Sequence, residues 1–239
     1  MRRIAFLCIA AVFCADISAA YCADLSPSYA PRYNWNGFYA GLHLGGAWGQ
    51  NKAVDTANWN GTGSEFTANP NGFVGGAQIC YNWQADEALV LGLEADIGYL
   101  GFNGSATSPL AVAQGTGTTI SSEGGLYGSI RPRIGFAWDR AMIYGTGGLI
   151  FANVRSQVVD NLAAVPIATN RTTTQTGWTA GGGVEVALSG SMSGWSVRGE
   201  YLYFDLGSET ATGVNALGTF TWDVRTTGSI GRFGLNRRF

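Results

Sequence analysis

Charge is scarce in this chain: Asp, Glu, Lys and Arg together make up 13% of its 239 residues, against roughly 25% in ordinary soluble domains. Something other than water must therefore touch much of its outside. Histidine is nearly missing, at one residue, and cysteine is sparse, at four. A formal net charge of −2 supplies no basic stripe for nucleic acid, which excludes that partner. Past the N-terminus no apolar run approaches the ~20 residues of a membrane-spanning helix. If the mature chain crosses a membrane, strands must do it. What it has instead is 36 glycines and 13% aromatic residues, a composition for closely packed β structure and for membrane interfaces.

The N-terminus reads as a secretory signal. Arg2 and Arg3 form a positive start, Ile4 to Phe13 an apolar core, and Ser18, Ala19 and Ala20 the small residues before cleavage. Residues 1–22 are assigned to it, with cleavage after Ala20 or after Cys22. Taking the second site, the loss of Arg2, Arg3 and Asp16 turns 14 minus 16 into 12 minus 15, a mature net charge of −3. Cys8 and Cys14 leave with the signal and Cys80 stays, so no disulfide framework is expected. A lipoprotein reading, with Cys22 acylated, runs against the bulky Tyr21 just before it. Residues 23–34, with Pro27 and Pro31, read as a periplasmic tether, and residues 35–239 as one domain.

Within that domain, Gly-rich amphipathic segments predict strands over 37–49, 72–83, 88–102, 124–138, 141–155, 176–189, 195–207 and 222–239. Each is long enough for an oblique bilayer crossing, which takes ~9–11 residues, and about eight strands is the smallest usual count for a membrane barrel. The connections alternate. Residues 50–71, 103–123, 156–175 and 208–221 are long and polar, whereas 84–87, 139–140 and 190–194 are tight turns. That sorting puts all long loops at one end and both termini at the other, as in outer-membrane barrels with short periplasmic turns.

Period-two reading separates two faces. In the third segment Leu89, Leu91, Leu93, Ala95, Ile97 and Tyr99 alternate with Val90, Gly92, Glu94, Asp96 and Gly98. The first segment sets Phe38, Ala40, Leu42, Leu44 and Trp48 against Tyr39, Gly41, His43 and Gly45. The fifth is apolar on both faces and its orientation stays open. The eighth changes parity between Trp222 and Phe233, which predicts a bulge there. Trp35, Phe38, Tyr81, Trp83, Trp138 and Phe239 lie at strand ends beside turns or termini, at the level expected of an interfacial girdle.

The charged residues on the non-lipid faces are Glu94 and Asp96, Arg131 and Arg133, Glu185, Arg198 and Glu200, Arg232, and Arg238. Acids and bases fall on neighbouring hairpin partners, the pattern a closed polar lumen requires, since buried charges cost several kcal/mol unless paired. On a lipid face an Arg near mid-bilayer would cost about 2–4 kcal/mol. These observations predict an all-β fold: a single closed antiparallel up-and-down transmembrane barrel.

No Cys, His or carboxylate cluster has metal-ligand spacing. Gly145, Gly147 and Gly148 have no strand-to-helix context for a phosphate loop and read as close strand contacts. His43, on the inner face of the first strand, has no Ser or Asp spaced to act with it. No enzyme activity, cofactor or metal is expected.

The start Trp35-Asn36-Gly37-Phe38-Tyr39-Ala40-Gly41, the stretch Leu91 to Asp96, Glu200-Tyr201-Leu202-Tyr203, and the ending Gly-Leu-Asn-Arg-Arg-Phe resemble the RopB-type outer-membrane immunogenic proteins. Those belong with the eight-stranded OmpA-like and opacity-protein-like barrels. The resemblance runs from Trp35 to Phe239. It implies an integral protein of the cell outer membrane, in contact with its lipid and lipopolysaccharide, with Phe239 as part of the signal read by the barrel assembly machinery. One departure is Arg237, where that family usually has an aromatic; Arg snorkels at a membrane edge. Three roles are consistent with the sequence: a structural, surface-exposed barrel; a narrow diffusion pore; and a module whose long loops contact a host surface, heme or another ligand.

Overall fold

In the computed structural model the described residues are 32–56, 65–107, 118–160, 167–215 and 218–239. The expected signal, 1–22, and residues 23–31 of the expected tether lie outside them. The elements are β1 (Gly37–Asp55), β2 (Glu65–Ala68), β3 (Asn71–Gln84), β4 (Leu89–Thr107), β5 (Thr118–Trp138), β6 (Ala141–Asp160), β7 (Ile167–Ala187), β8 (Trp195–Asn215) and β9 (Gly218–Arg238), plus one 3₁₀ turn, Gly190–Met192.

Sequential neighbours pair antiparallel, and β9 returns to pair with β1 from Tyr39↔Arg238 to Asp55↔Trp222. That last ladder closes the sheet into a barrel, with every strand paired on both sides between the turns and the level of Trp178. The short β2 pairs with β1 on the side that β3 occupies, so it continues β3 after a break at Asn69 and Pro70. Proline has no N–H for the ladder, but its carbonyl still accepts from Gly49 N at 2.7 Å. The barrel therefore has eight staves.

The tight turns fall at one end. Trp138↔Ala141 leaves only Asp139 and Arg140 between β5 and β6, and Asp139 takes a φ of 50° to close the turn. At the other end the strands run further than hydropathy indicates. Residues 50–55, 103–107, 118–123, 156–160, 167–175 and 208–215, expected as loop, are ladder. The ladder needs only backbone hydrogen bonds, and these arms carry Ser, Thr, Gly and Asn on both faces. Without hydrocarbon on one side there is no period-two contrast to betray a strand.

Parity is kept through β9 from Trp222 to its end. Trp222, Val224, Thr226, Ile230, Arg232 and Asn236 are buried, while Phe233 and Leu235 are exposed. The expected bulge in this strand is therefore absent. The extra residue sits on the partner: between Asp205↔Thr227 and Ser208↔Arg225, β8 supplies Leu206 and Gly207 against Thr226 alone. Gly207, at φ 77°, takes the left-handed conformation that such a bulge favours in glycine. Apolar Trp222 and Ile230 suggested a lipid face, yet they point inward.

The outward face between the turns and the arms is apolar, with Leu42, Leu44, Phe73, Ile97, Ile130 and Leu149 among its exposed side chains. Inward, the bore is filled in layers. Beside the tight turns lies an apolar layer including Trp35, Tyr39, Cys80, Val90, Met142 and Tyr144. Toward the long arms lies another, with Val74, Leu100, Phe102, Tyr127, Ile150 and Phe204. β6 feeds both, through Met142 and Tyr144 below and Ile150, Ala152 and Val154 above. Its inner face is thus as apolar as the outer face that carries Ile143 and Leu149, and this settles its orientation.

Candidate functional site: a buried ion network in the lumen

The strand registers place the charged residues. Glu94 on β4 stands opposite Arg131 on β5, Glu185 on β7 opposite Arg198 on β8, and Glu200 on β8 opposite Arg232 on β9. All six face the bore, with Asp96 and Arg133 on the same parity of β4 and β5, and all eight are buried. Four guanidinium groups meet four carboxylates, so the layer is formally neutral.

Contacts cross the bore as well as following the wall. Glu94 pairs with Arg131 and with Arg198, and lies 3.5 Å from Arg232 Nη2 and 3.6 Å from Arg133 Nη1. Asp96 Oδ2 is 3.0 Å from both Arg131 Nη2 and Arg232 Nη2, and accepts from Ser129 Oγ at 2.9 Å. Glu200 Oε2 lies 2.6 Å from Arg232 Nη2, and its Oε1 accepts from Tyr144 at 3.0 Å. Glu185 takes Arg133 Nη1 at 3.2 Å, Ser196 Oγ at 2.5 Å and Asn236 Nδ2 at 2.9 Å. Staves on opposite sides are thereby joined. Such a layer is tolerated in a low-dielectric interior because each charge is both paired and hydrogen-bonded.

His43 extends the network. Gln78 Oε1 accepts from Arg198 Nη2 at 2.6 Å and faces His43 Nδ1 at 2.8 Å, so Nδ1 carries the proton. Nε2 then accepts from Tyr127 Oη at 2.6 Å. The ring is a hydrogen-bonded spacer between wall and network. Gln78, Asn82, Asn236, Tyr127, Tyr144 and Ser196 also belong here and were not singled out from the sequence. Their inward parity was the available signal.

Room for these side chains comes from glycine. Arg133, Arg198, Tyr127, His43 and Phe204 each have a glycine as direct register partner: Gly92, Gly234, Gly98, Gly76 and Gly228. A Cβ on Gly92 would stand 2.9 Å from Arg133 Cγ, and one on Gly228 2.5 Å from the Phe204 ring. Of the glycines in β6, Gly148 is a close strand contact, its Cβ position lying 2.2 Å from Ile130 O, whereas a Cβ on Gly147 would sit at ordinary contact distance, 3.4 Å from Thr179 O, and one on Gly145 would meet only Gly181 O, at 4.0 Å.

Two residues depart from expectation at the turn end. Trp35 is 0% exposed, so it does not join the girdle. Its Nε1 donates to Asp139 O at 2.9 Å and its backbone N–H to Gln84 Oε1 at 2.9 Å, while Tyr39 donates to its carbonyl. The 32–36 segment is drawn over the mouth, with Tyr33 N donating to Asp139 Oδ1 and Arg32 paired to Glu87. An apolar ring with a polar N–H is satisfied there because turn carbonyls line that mouth. Arg238 stays out of the ion network and instead donates to Asn34 O and lies over the Tyr33 ring. It lies beyond the last charged layer, at the mouth, where the carboxylates of Asp139 and Glu87 are already taken by Tyr33 N and Arg32. Phe239 is exposed, and Arg237 sits 5.3 Å over the Trp195 ring.

A closed barrel with a lipid-facing apolar band and charges sealed in its bore defines an integral outer-membrane β-barrel. The family model described as outer membrane protein beta-barrel domain matches residues 5–227, and the chain belongs to that family. It is 32% identical over 229 residues to the 31 kDa outer-membrane immunogenic protein of Brucella melitensis, covering 90% of this chain and 91% of that one. It is 31% identical to a 22 kDa outer membrane protein of Rhizobium leguminosarum, covering 75% and 68%. In fold it is similar to the outer membrane protein OprG of Pseudomonas aeruginosa, with a TM-score of 0.52 at 13% identity over 85% of this chain and 97% of that one. The chain is accordingly an outer-membrane protein.

Proposed function

We propose that this protein is a plugged, non-conducting anchor in the outer membrane that displays its four long hairpin arms to the outside. The tight turns, the 32–36 strap and the C-terminus then face the periplasm. The filling of the bore is what supports this reading. Eight paired charges lie between two apolar layers, and the space left by the lumen glycines is filled by the side chains opposite them. In planar bilayers the folded protein is expected to give no steady conductance; open channels with a stable unit current would refute the reading in favour of a diffusion pore.

The role is structural rather than catalytic. The single histidine is held inside the barrel by Gln78 and Tyr127, away from any substrate and from any heme outside. Lipid and lipopolysaccharide surround the apolar band. Residues 1–22 act as a cleaved export signal, and Phe239 is part of what the barrel assembly machinery reads. At 81% exposed, Phe239 holds little of the barrel together. Phe239→Ala is therefore expected to leave the stability of refolded protein unchanged while lowering the fraction assembled in cells. Equal assembly of the variant and the unaltered chain would remove Phe239 from that role.

A further inference from the structure

Around the barrel the outer arms are stitched to their neighbours nearly to their tips, with one long exception. β4–β5 pairing reaches Thr107↔Thr119, β5–β6 Thr118↔Asp160, β6–β7 Asp160↔Ile167, β8–β9 Asn215↔Gly218 and β9–β1 Asp55↔Trp222. The β7–β8 ladder stops at Trp178↔Asp205. Above that point residues 167–177 of β7 pair only with β6, and 208–215 of β8 only with β9. A shorter interruption between β2 and β4 is packed shut, since a Cβ on Gly104 would stand 2.6 Å from Pro70 Cα.

The split has a local cause. Gly177 is the last close approach, its Cβ position lying 1.8 Å from Asp205 O. The bulge at Leu206 and Gly207 then turns β8 away, and nothing lies within 4 Å of a Cβ placed on Gly207. Asp205 fixes the bulge: its Oδ1 accepts from Gly207 N at 2.9 Å and its Oδ2 meets Arg225 Nη2 of β9 at 2.5 Å. β8 is thus clamped to β9 where it leaves β7.

We propose that this split is a docking site for an extended polypeptide segment of another protein, which adds as a strand to the free edge of β7. The occupant follows from what the edge offers, namely a row of backbone donors and acceptors that only another strand satisfies fully. One side-chain bond crosses the split, Gln175 Nε2 donating to Glu209 Oε2 at 2.9 Å, but no backbone pair does, and the exposed side chains along the β7 edge leave it open. Thr172, Thr174 and Thr176 are exposed and neutral, with no Lys or Pro of the kind that blunts natural edges. A second copy in the same membrane is a poor occupant. A two-fold axis along the membrane normal keeps both β7 strands running the same way, whereas an antiparallel ladder related by a two-fold needs them opposed. The inference rests on the surface reading above, because the split must face the medium.

The test uses the full barrel folded in detergent micelles, followed by amide hydrogen exchange in NMR. The probe is a peptide of about ten residues alternating Thr and Val. Without peptide, alternate amides of 168–176 are expected to exchange at least about a hundredfold faster than those of 179–185. With peptide they should slow roughly tenfold or more. The same peptide N-methylated at alternate residues should have no effect, and Thr174→Lys with Thr176→Lys should weaken the response while the barrel stays folded. Uniform protection of β7 without peptide, no slowing with it, or equal slowing by the methylated peptide overturns the proposal. On intact cells, Thr174→Cys should react with a membrane-impermeant maleimide. Labelled cells whose barrel ignores the peptide sink the docking inference alone; unlabelled cells sink the surface reading and the inference with it.

Discussion

Glu94→Ala is expected to lower the stability of the folded barrel by about 3–5 kcal/mol, the usual loss when one partner of a buried ion pair is removed. Glu94 lies within 4 Å of all four lumen arginines. Removing it leaves four buried cations facing three carboxylates, and none can reach water past the apolar layers. Set against a total of roughly 5–15 kcal/mol for a typical domain, that loss is large. It should be read as a fall in the temperature at which the compact band on a denaturing gel converts to the unfolded one. Glu94→Gln keeps an acceptor and should fall between. Lys52→Ala, which breaks a pair that is half exposed on both sides, should move the midpoint little, because solvent screens such pairs. A midpoint for Glu94→Ala equal to that of the unaltered protein would mean that the network is not what holds opposite staves together.

The parts of this architecture visible in the sequence are those where the two faces of a strand meet different media. β4 is the clearest, since Leu91, Leu93, Ala95 and Ile97 meet lipid while Glu94 and Asp96 meet arginine. The membrane-level strands, the tight turns and the eight charged lumen residues follow from that contrast. Where the contrast fails, so does the reading. β6 is apolar on both sides because its inner face closes the bore at two levels. The outer arms are polar on both sides and looked like loops. Trp222 and Ile230 belong to the inner filling, so their parity mimicked a bulge in β9 when the true one lay in β8. Trp35 shows the limit differently: its position beside a turn is what a girdle tryptophan would have, and only the carbonyl of Asp139 and the side chain of Gln84 explain why it turns inward. The cross-bore pairings, such as Glu94 with Arg198, join strands far apart in sequence, and no spacing rule along one strand reports them.

Glycine substitutions offer a second test with a large expected effect, because two glycines close together on β6 and β7 should respond in opposite ways. Gly181 faces the bore on β7, opposite Leu202, and a Cβ there would stand 2.0 Å from Tyr201 O and 2.9 Å from Leu202 Cα. Both obstacles are backbone, so no rotamer change relieves them, and the strands must separate. Gly181→Ala is expected to cost at least the ~1–3 kcal/mol typical of overpacking, and to do so where β7 and β8 have their only ladder, ten residue pairs long. Gly145, on the neighbouring stave, faces outward, and its Cβ position meets nothing nearer than Gly181 O at 4.0 Å. Gly145→Ala should be neutral or slightly stabilising, since a strand interior loses less chain entropy with alanine than with glycine. Urea titration of both variants in micelles decides the matter. If they unfold at the same midpoint, the abundance of glycine reflects composition alone and not the closeness of the staves in this narrow, filled barrel.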